Sequence, residues 1–180
     1  TQPFFISNNM AKNCLSKLPG NFLSSCTIPR VGVNNIYLMH AEDVTFTTSD
    51  GVISGVTFAS GTRSILVEGY KQNIQVTSTL KTTDASSRID SSVSFKVTSN
   101  ATHRLRLNSV ANGKFVVLVD YVGADFTLIG GTVPLECSSV EFDSNGGAQM
   151  YTVTLSSPEG SAGNNLTAVN AAVKNSIISK

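Results

Sequence analysis

Residues 101–155 read ATHRLRLNSVANGKFVVLVDYVGADFTLIGGTVPLECSSVEFDSNGGAQMYTVTL, and they carry the clearest structural signals of the chain. Its first part predicts a helix, with Asn100 as the N-cap and Gly113 at the position of a C-terminal glycine. The next run, residues 115–119, is rich in β-branched residues and too short for a buried helix, so we expect a strand buried on both faces. The remainder predicts a meander of antiparallel strands.

The helix at residues 101–112 carries an apolar side formed by Leu105, Leu107, Val110 and Ala111. Side chains three and four positions apart lie on the same side of a helix. We therefore expect the helix to cover one face of the strand that follows it.

Two long strands with strict alternation precede the helix, at residues 72–81 and 88–98. Ile74, Val76 and Leu80 point to one side of the first strand, and polar side chains point to the other. Across both strands the polar positions are Gln75, Thr77, Thr79, Lys81, Arg88, Asp90, Ser92, Ser94 and Lys96. Strands usually have about five or six residues, so these are unusually long. A long polar face of this kind is expected for a sheet that surrounds a water-filled space.

Shorter strands are predicted upstream, at residues 35–40, 44–48 and 63–70. Asp50-Gly51 is a strong signal for a tight hairpin turn, because both residues tolerate a positive φ. On the strand that returns from this turn, Val52, Val56 and Phe58 are expected to alternate on one face.

The composition favours one mainly β domain. The chain has 180 residues, of which 14% are charged, whereas about a quarter is typical. Ser, Thr, Asn and Gly take the place of charge, as suits the surface of a pleated sheet. We predict a β-sandwich or half-barrel of antiparallel strands with one flanking α-helix at about 101–112 and a C-terminal helical arm.

Two segments outside this domain are predicted to be arms. We assign residues 1–30 to an N-terminal arm, 31–158 to the β domain, and 159–180 to a Gly/Ser-rich linker and an amphipathic C-terminal arm capped by Asn165. The apolar residues of the two arms are Phe4, Phe5, Ile6, Leu166, Val169, Val173 and Ile177. We expect them to act between subunits, so that deletion of residues 160–180 leaves a folded domain. The alternative is a C-terminal helix that folds back onto its own sheet.

Several motifs, in order, resemble phage tail tube proteins. They are the segment GVNNIYLMHAEDVTFTTSDGVISGVTFASG, the strand in VANGKFVVLVDYVGADFTLIGGTVPLE, and the closing strand in SNGGAQMYTVTLSSPE. The resemblance covers residues 31–159. It implies a virion structural protein of the tail, made in the host cytoplasm, that assembles into stacked rings.

In a protein of this family, rings that are usually hexameric enclose a channel for DNA passage. The implied partners are the chain itself and other virion tail proteins, with DNA only as weakly contacted cargo and no membrane. The two long alternating strands would then face the channel. Family channels tend to be acidic, whereas Lys81, Arg88 and Lys96 lie on this polar face.

The sequence contains no set of residues typical of an enzyme. No phosphate-binding loop, nucleophile elbow or paired-cysteine motif occurs. His40, Glu42 and Asp43 are more typical of a surface cluster than of a metal site, so we predict no enzyme, no metal and no cofactor. The net charge is +1 and no basic patch is present, which argues against a nucleic-acid binder.

The cysteines bear on the remaining alternatives. Cys14, Cys26 and Cys137 are odd in number and match no zinc spacing, so we expect free thiols, with a Cys14–Cys26 disulfide as the alternative. The start of the sequence lacks the features of a signal peptide, which disfavours a secreted β-sandwich adhesin or binding module. A phage connector, a tail terminator or a head-decoration protein stays open as an alternative of related class.

Overall fold

The computed structural model describes residues 32–69, 73–82, 87–122, 126–144, 149–158 and 167–179. The strands are β1 (Val33–His40), β2 (Val44–Ser49), β3 (Val52–Phe58), β4 (Ile65–Glu68), β5 (Ile74–Thr82), β6 (Ser87–Thr98), β7 (Lys114–Tyr121), β8 (Phe126–Ile129), β9 (Leu135–Asp143), β10 (Met150–Ser156) and β11 (Thr167–Ala168). The helices are α1 (Ala101–Ala111) and α2 (Ala171–Ile178). The chain is mainly β, with a large antiparallel sheet and a flanking helix, which confirms the predicted fold class.

The large sheet is organised around β7. One edge of β7 pairs first with β9 and then with β8, and its other edge pairs with β1. From β9 the sheet continues through β10 and β6 to β5, from β1 it continues to β4, and from β8 to β11. The hairpin of β2 and β3 forms a separate two-stranded sheet. The two long predicted strands are thus β5 and β6, joined as an antiparallel hairpin.

Strand β7 separates two apolar clusters, which confirms that it is buried on both faces. Phe115, Val117 and Val119 belong to the first cluster, together with buried residues of β6 and β10. Val116 and Leu118 belong to the second cluster, on the opposite face. Side chains alternate along a strand, so an unbroken apolar run is what a strand between two layers requires.

Helix α1 covers part of the first cluster, but with a narrower side than predicted. Leu107 is buried and Val110 packs at the margin of the cluster. Leu105 is 72% exposed, so its assignment to the buried side is wrong. The helix packs mainly against β9. A helix that contacts one strand needs fewer apolar positions than a helix that is surrounded by other elements.

Asn100 and Gly113 mark the two predicted ends of α1. The Asn100 side chain accepts a hydrogen bond of 2.8 Å from the His103 N–H, which confirms the N-cap. Gly113 lacks the positive φ of a left-handed C-terminal glycine, so that interpretation is wrong. Its role is steric instead, since a Cβ at this position would collide with the buried ring of Phe115.

We expect Gly113→Ala to destabilise the protein by about 1–3 kcal/mol, the usual cost of overpacking. The added methyl must displace the Phe115 ring, which is 1% exposed and has little room to move. Denaturant unfolding measures the cost. In the Phe115→Leu background the same change should cost clearly less, because the ring end is gone; equal costs in both backgrounds would refute the steric explanation.

A β-bulge changes the pattern predicted for β3. The turn is as expected, with φ of 51° at Asp50 and 77° at Gly51. The pairing then shifts between Thr47 and Thr48, so that Ser54 is an extra residue on β3. An extra residue reverses the alternation. Ile53, not Val52, therefore lies on the same side as Val56 and Phe58, and Val52 is 37% exposed.

The C-terminal segment corrects the prediction of an independent arm. Residues 167 and 168 pair with β8 as β11, and the helix begins only at Ala171, where the Asn170 side chain accepts from the Ala172 N–H at 2.8 Å. Val169 forms an isolated bridge to Ile53. Asn165 and Leu166 lie outside the described residues. The helical period is real, but it starts later because the edge of β8 takes up the first residues as a strand.

Helix α2 is part of the chain's own core. Val173 is 3% exposed and Ile177 is fully buried, both against the second cluster. The Lys174 ammonium lies 3.7 Å from the centre of the Phe126 ring. Lys174 also faces Asp120, whose pKa is raised by burial although this nearby cation and the Asn34 side chain act in the opposite direction. The predicted contact of Val173 and Ile177 with a neighbouring subunit is therefore wrong, and the folded-back alternative is correct.

Candidate assembly surface

The register of the β5–β6 hairpin places the predicted polar residues on one face. Directly opposed residues of an antiparallel pair point to the same side of the sheet. The opposed pairs are Gln75 with Ser94, Thr77 with Ser92, Thr79 with Asp90, and Lys81 with Arg88. Lys96 lies two positions beyond Ser94 and points the same way. The structure thus brings all nine residues together on one surface, which we call the polar face.

Direct side-chain contacts join the two strands across the polar face. The hydroxyl oxygens of Thr77 and Ser92 are 2.7 Å apart. At the far end of the hairpin, Lys81 Nζ lies 2.7 Å from one carboxylate oxygen of Asp90, and Arg88 Nε lies 3.3 Å from the other. The hydrogen bond from Lys81, with the charges of Arg88 and Lys81, lowers the pKa of Asp90. Two cations share one carboxylate, so this end of the face keeps a positive charge.

The polar face continues across β10 onto β9, which sequence reasoning missed. Lys96 is opposite Thr152, and Thr152 is opposite Glu141. Asp143 lies two positions beyond Glu141 on the same side. The signal in the sequence was the alternation of acids with Val140 and Phe142, but a register shift next to Ser139 interrupts it. These acids balance the cations of β5 and β6, so the four-stranded face is mixed in charge.

The other face of the hairpin extends beyond the core. Val93 and Phe95 are buried, and Val76 packs against them. The buried Ser91 marks the boundary, with its hydroxyl oxygen 3.1 Å from that of Ser78. Beyond this pair, Leu80 stands opposite Ile89 and is 62% exposed. Leu80 therefore lies largely uncovered, beside the half-buried Ile89, where the domain's own core has ended.

Several strands pair with a single neighbouring strand among the described residues, and β5 is the longest of them. There β5 pairs only with β6, and β4 pairs only with β1. Lys81 is the one charged side chain on β5. Proteins usually protect long edges with charges, bulges or proline, because open backbone groups pair with other chains. The edge of β5, with the Leu80–Ile89 pair beside it, has the properties of an assembly surface.

The described residues offer little basis for other kinds of site. No three His, Cys, Asp or Glu residues cluster within those ranges. The His40 ring packs on Phe115, with centres 4.9 Å apart. Burial raises the pKa of the Cys137 thiol. The described segments also contain no helix with the length and apolarity needed to span a membrane.

Several predicted residues lie outside the described residues. They are Cys14, Cys26 and the arm residues Phe4, Phe5, Ile6 and Leu166. Their predicted roles therefore stay predictions.

Comparison with known proteins found no matching family model, curated protein or solved structure. The class that the fold itself defines is a mainly β protein with a central strand buried on both faces, two packed helices and a long hairpin with an open edge. The resemblance to tail tube proteins is one of sequence motifs in residues 31–159 alone.

Proposed function

We propose that the protein is a structural subunit that assembles with its own copies into rings of the phage tail tube type. The observation that carries the proposal is the β5 edge, which runs for nine residues and carries the exposed Leu80 near its end. An identical contact repeated by a rotation that closes produces a ring. Pairing of β5 with an edge of the next copy protects the open backbone groups and covers Leu80.

The polar face supports the proposal of a channel. Strands from several copies, joined edge to edge, form a barrel wide enough to hold water. In such a ring the polar face of β5, β6, β10 and β9 lines the channel, and the apolar face packs on the domain core. Mixed charge allows DNA to pass without tight binding, because strong affinity for phosphates requires an excess of Lys and Arg.

The resemblance to tail tube proteins supports the remaining parts of the proposal. It implies six subunits in a ring, stacking of the rings, other virion tail proteins as partners, and a place in the virion. We assign no enzymatic activity and no cofactor. A connector, terminator or head-decoration ring is the second candidate, favoured if single rings form without stacking. A secreted β-sandwich binding module is the third, and it requires no ring.

The assembly surface is tested by Leu80→Glu. Burial of a leucine side chain contributes about 1.5–3 kcal/mol, so loss of this contact should weaken self-association at least about tenfold. Sedimentation velocity measures association, and circular dichroism reports the fold. The matched control is Leu105→Glu, the same change at a leucine that is also exposed but lies on α1. Normal assembly of the Leu80 variant, or equal loss in both variants, would contradict the proposed surface.

A further inference from the structure

A cleft separates the edge strand β4 from helix α1 and the end of β6. Its volume is about 470 Å³, and its inner wall includes the core residues Leu38, Phe95 and Leu107. On β4, Ile65 and Leu66 line the cleft and are 42% and 47% exposed. The cleft is thus a gap in the wall of the sheet, through which the first apolar cluster meets the surface.

The backbone of β4 offers hydrogen-bonding groups along this gap. The N–H of Gly69, the residue after β4, donates to the Asn34 carbonyl of β1 at 2.7 Å. Hydrogen-bonded positions alternate along an antiparallel pair, so the backbone groups of Leu66 and Glu68 point away from β1. The Glu68 carbonyl accepts from the Asn73 side chain at 3.3 Å, as this outward direction requires.

The same end of the cleft is where the first 31 residues join the domain. Asn73 bridges Glu68 and Lys96 there, with Nδ2 3.3 Å and 3.1 Å from their carbonyl oxygens. Asn34, which bonds to Gly69, is two residues from Gly32, the first described residue. An extended chain covers about 3.3 Å per residue and adjacent strands lie about 4.8 Å apart. A few of the 31 preceding residues therefore reach the free edge of β4.

We propose that the N-terminal segment, residues 1–31, occupies this cleft in its own molecule, as an extended stretch along the outer edge of β4. Its apolar side chains, among them Phe4, Phe5 and Phe22, need a surface to cover them. The cleft supplies apolar walls and outward backbone groups, the combination that a strand added to a sheet edge uses. The short path from Gly32 favours the chain's own segment over that of a second copy. This assignment differs from the contact between subunits predicted from the sequence for Phe4, Phe5 and Ile6.

Photo-cross-linking identifies the occupant. The photoreactive residue p-benzoylphenylalanine is placed at Ile65 in the full-length chain, and equal parts of unlabelled and ¹⁵N-labelled protein are mixed and irradiated in the unassembled state. We expect cross-linked peptides from residues 1–31 with one isotope label, hence from the same molecule. Cross-links of mixed label would assign the cleft to a second copy, and the absence of peptides from residues 1–31 would refute the occupant; either result overturns the proposal. The same probe at Thr79, on the open β5 strand, is the control and should yield no such peptides.

Amide exchange tests the same proposal without a substitution. By the alternation described above, the Leu66 N–H points to the free edge of β4. The Ser78 N–H points to the free edge of β5, because the Lys96 N–H donates to the Asn73 carbonyl and fixes the register of that pair. In the unassembled protein, NMR should find Leu66 exchanging at least about tenfold more slowly than Ser78, since a covered edge must open locally first. Equally fast exchange of both amides would mean that the cleft is open and the proposal wrong.

Discussion

Val93→Asp should unfold the protein or destabilise it by more than about 4 kcal/mol, the range reached when an unpaired charge is buried. Val93 is fully buried in the first apolar cluster, between β5 and β10. Among the described residues the cluster around Val93 is made of apolar side chains, so a carboxylate there would be unpaired. Urea unfolding followed by circular dichroism measures the loss.

The neighbouring position provides a matched control. Ser92→Asp introduces the same charge one residue away, on the polar face, where the Ser92 hydroxyl contacts Thr77. We expect a cost below about 1 kcal/mol, mainly from this one hydrogen bond. Comparable destabilisation by the two substitutions would show that the two faces of β6 are wrongly assigned, and with them the polar face.

The second large effect is expected at the C-terminal helix. Ile177→Asp places a charge at a position with no exposure, between α2 and the second apolar cluster. It should detach the helix and expose Met39, Leu118 and Leu128, with a loss of more than about 4 kcal/mol out of a typical total of 5–15 kcal/mol. Thermal unfolding should register a large fall in melting temperature.

The control for this prediction is Ala172→Asp, on the exposed side of the same helix. A carboxylate in the first turn of a helix is favourable or neutral, so stability should hold. If the Ile177 variant were as stable as this control, α2 would not belong to the core, and the expectation that residues 160–180 are dispensable for folding would be restored.

The sequence predicted best where one physical requirement dominates. The apolar run of β7 predicts a strand that is buried on both faces, and the structure shows this. The alternation in β5 and β6 predicts one apolar and one polar face, which the pairing of the two strands confirms. The turn at Asp50-Gly51 and the cap at Asn100 follow from local backbone chemistry alone. These features depend on neighbours in the sequence, so the sequence is sufficient to predict them.

The errors arise where tertiary structure decides. The bulge at Ser54 reverses the faces of β3; Gly55 beside it is a residue that often marks a bulge inside a strand, but it does not fix which residue is the extra one. The helical period around Val173 and Ile177 was visible, but not the surface on which the helix packs. Position 113 requires glycine because the side-chain ring of Phe115, two residues later, packs directly against it. The acidic residues of β9 lie on the polar face because β9 pairs with β10, and this pairing cannot be read from the local sequence.

Self-assembly through an open strand edge can be observed by electron microscopy of the purified full-length protein. We expect closed rings, alone or stacked into tubes, with a water-filled channel whose wall includes β5 and β6. Stacked rings would favour the tail tube proposal and single rings the connector or decoration alternative. A protein that stays monomeric across the accessible concentration range would contradict assembly through this edge.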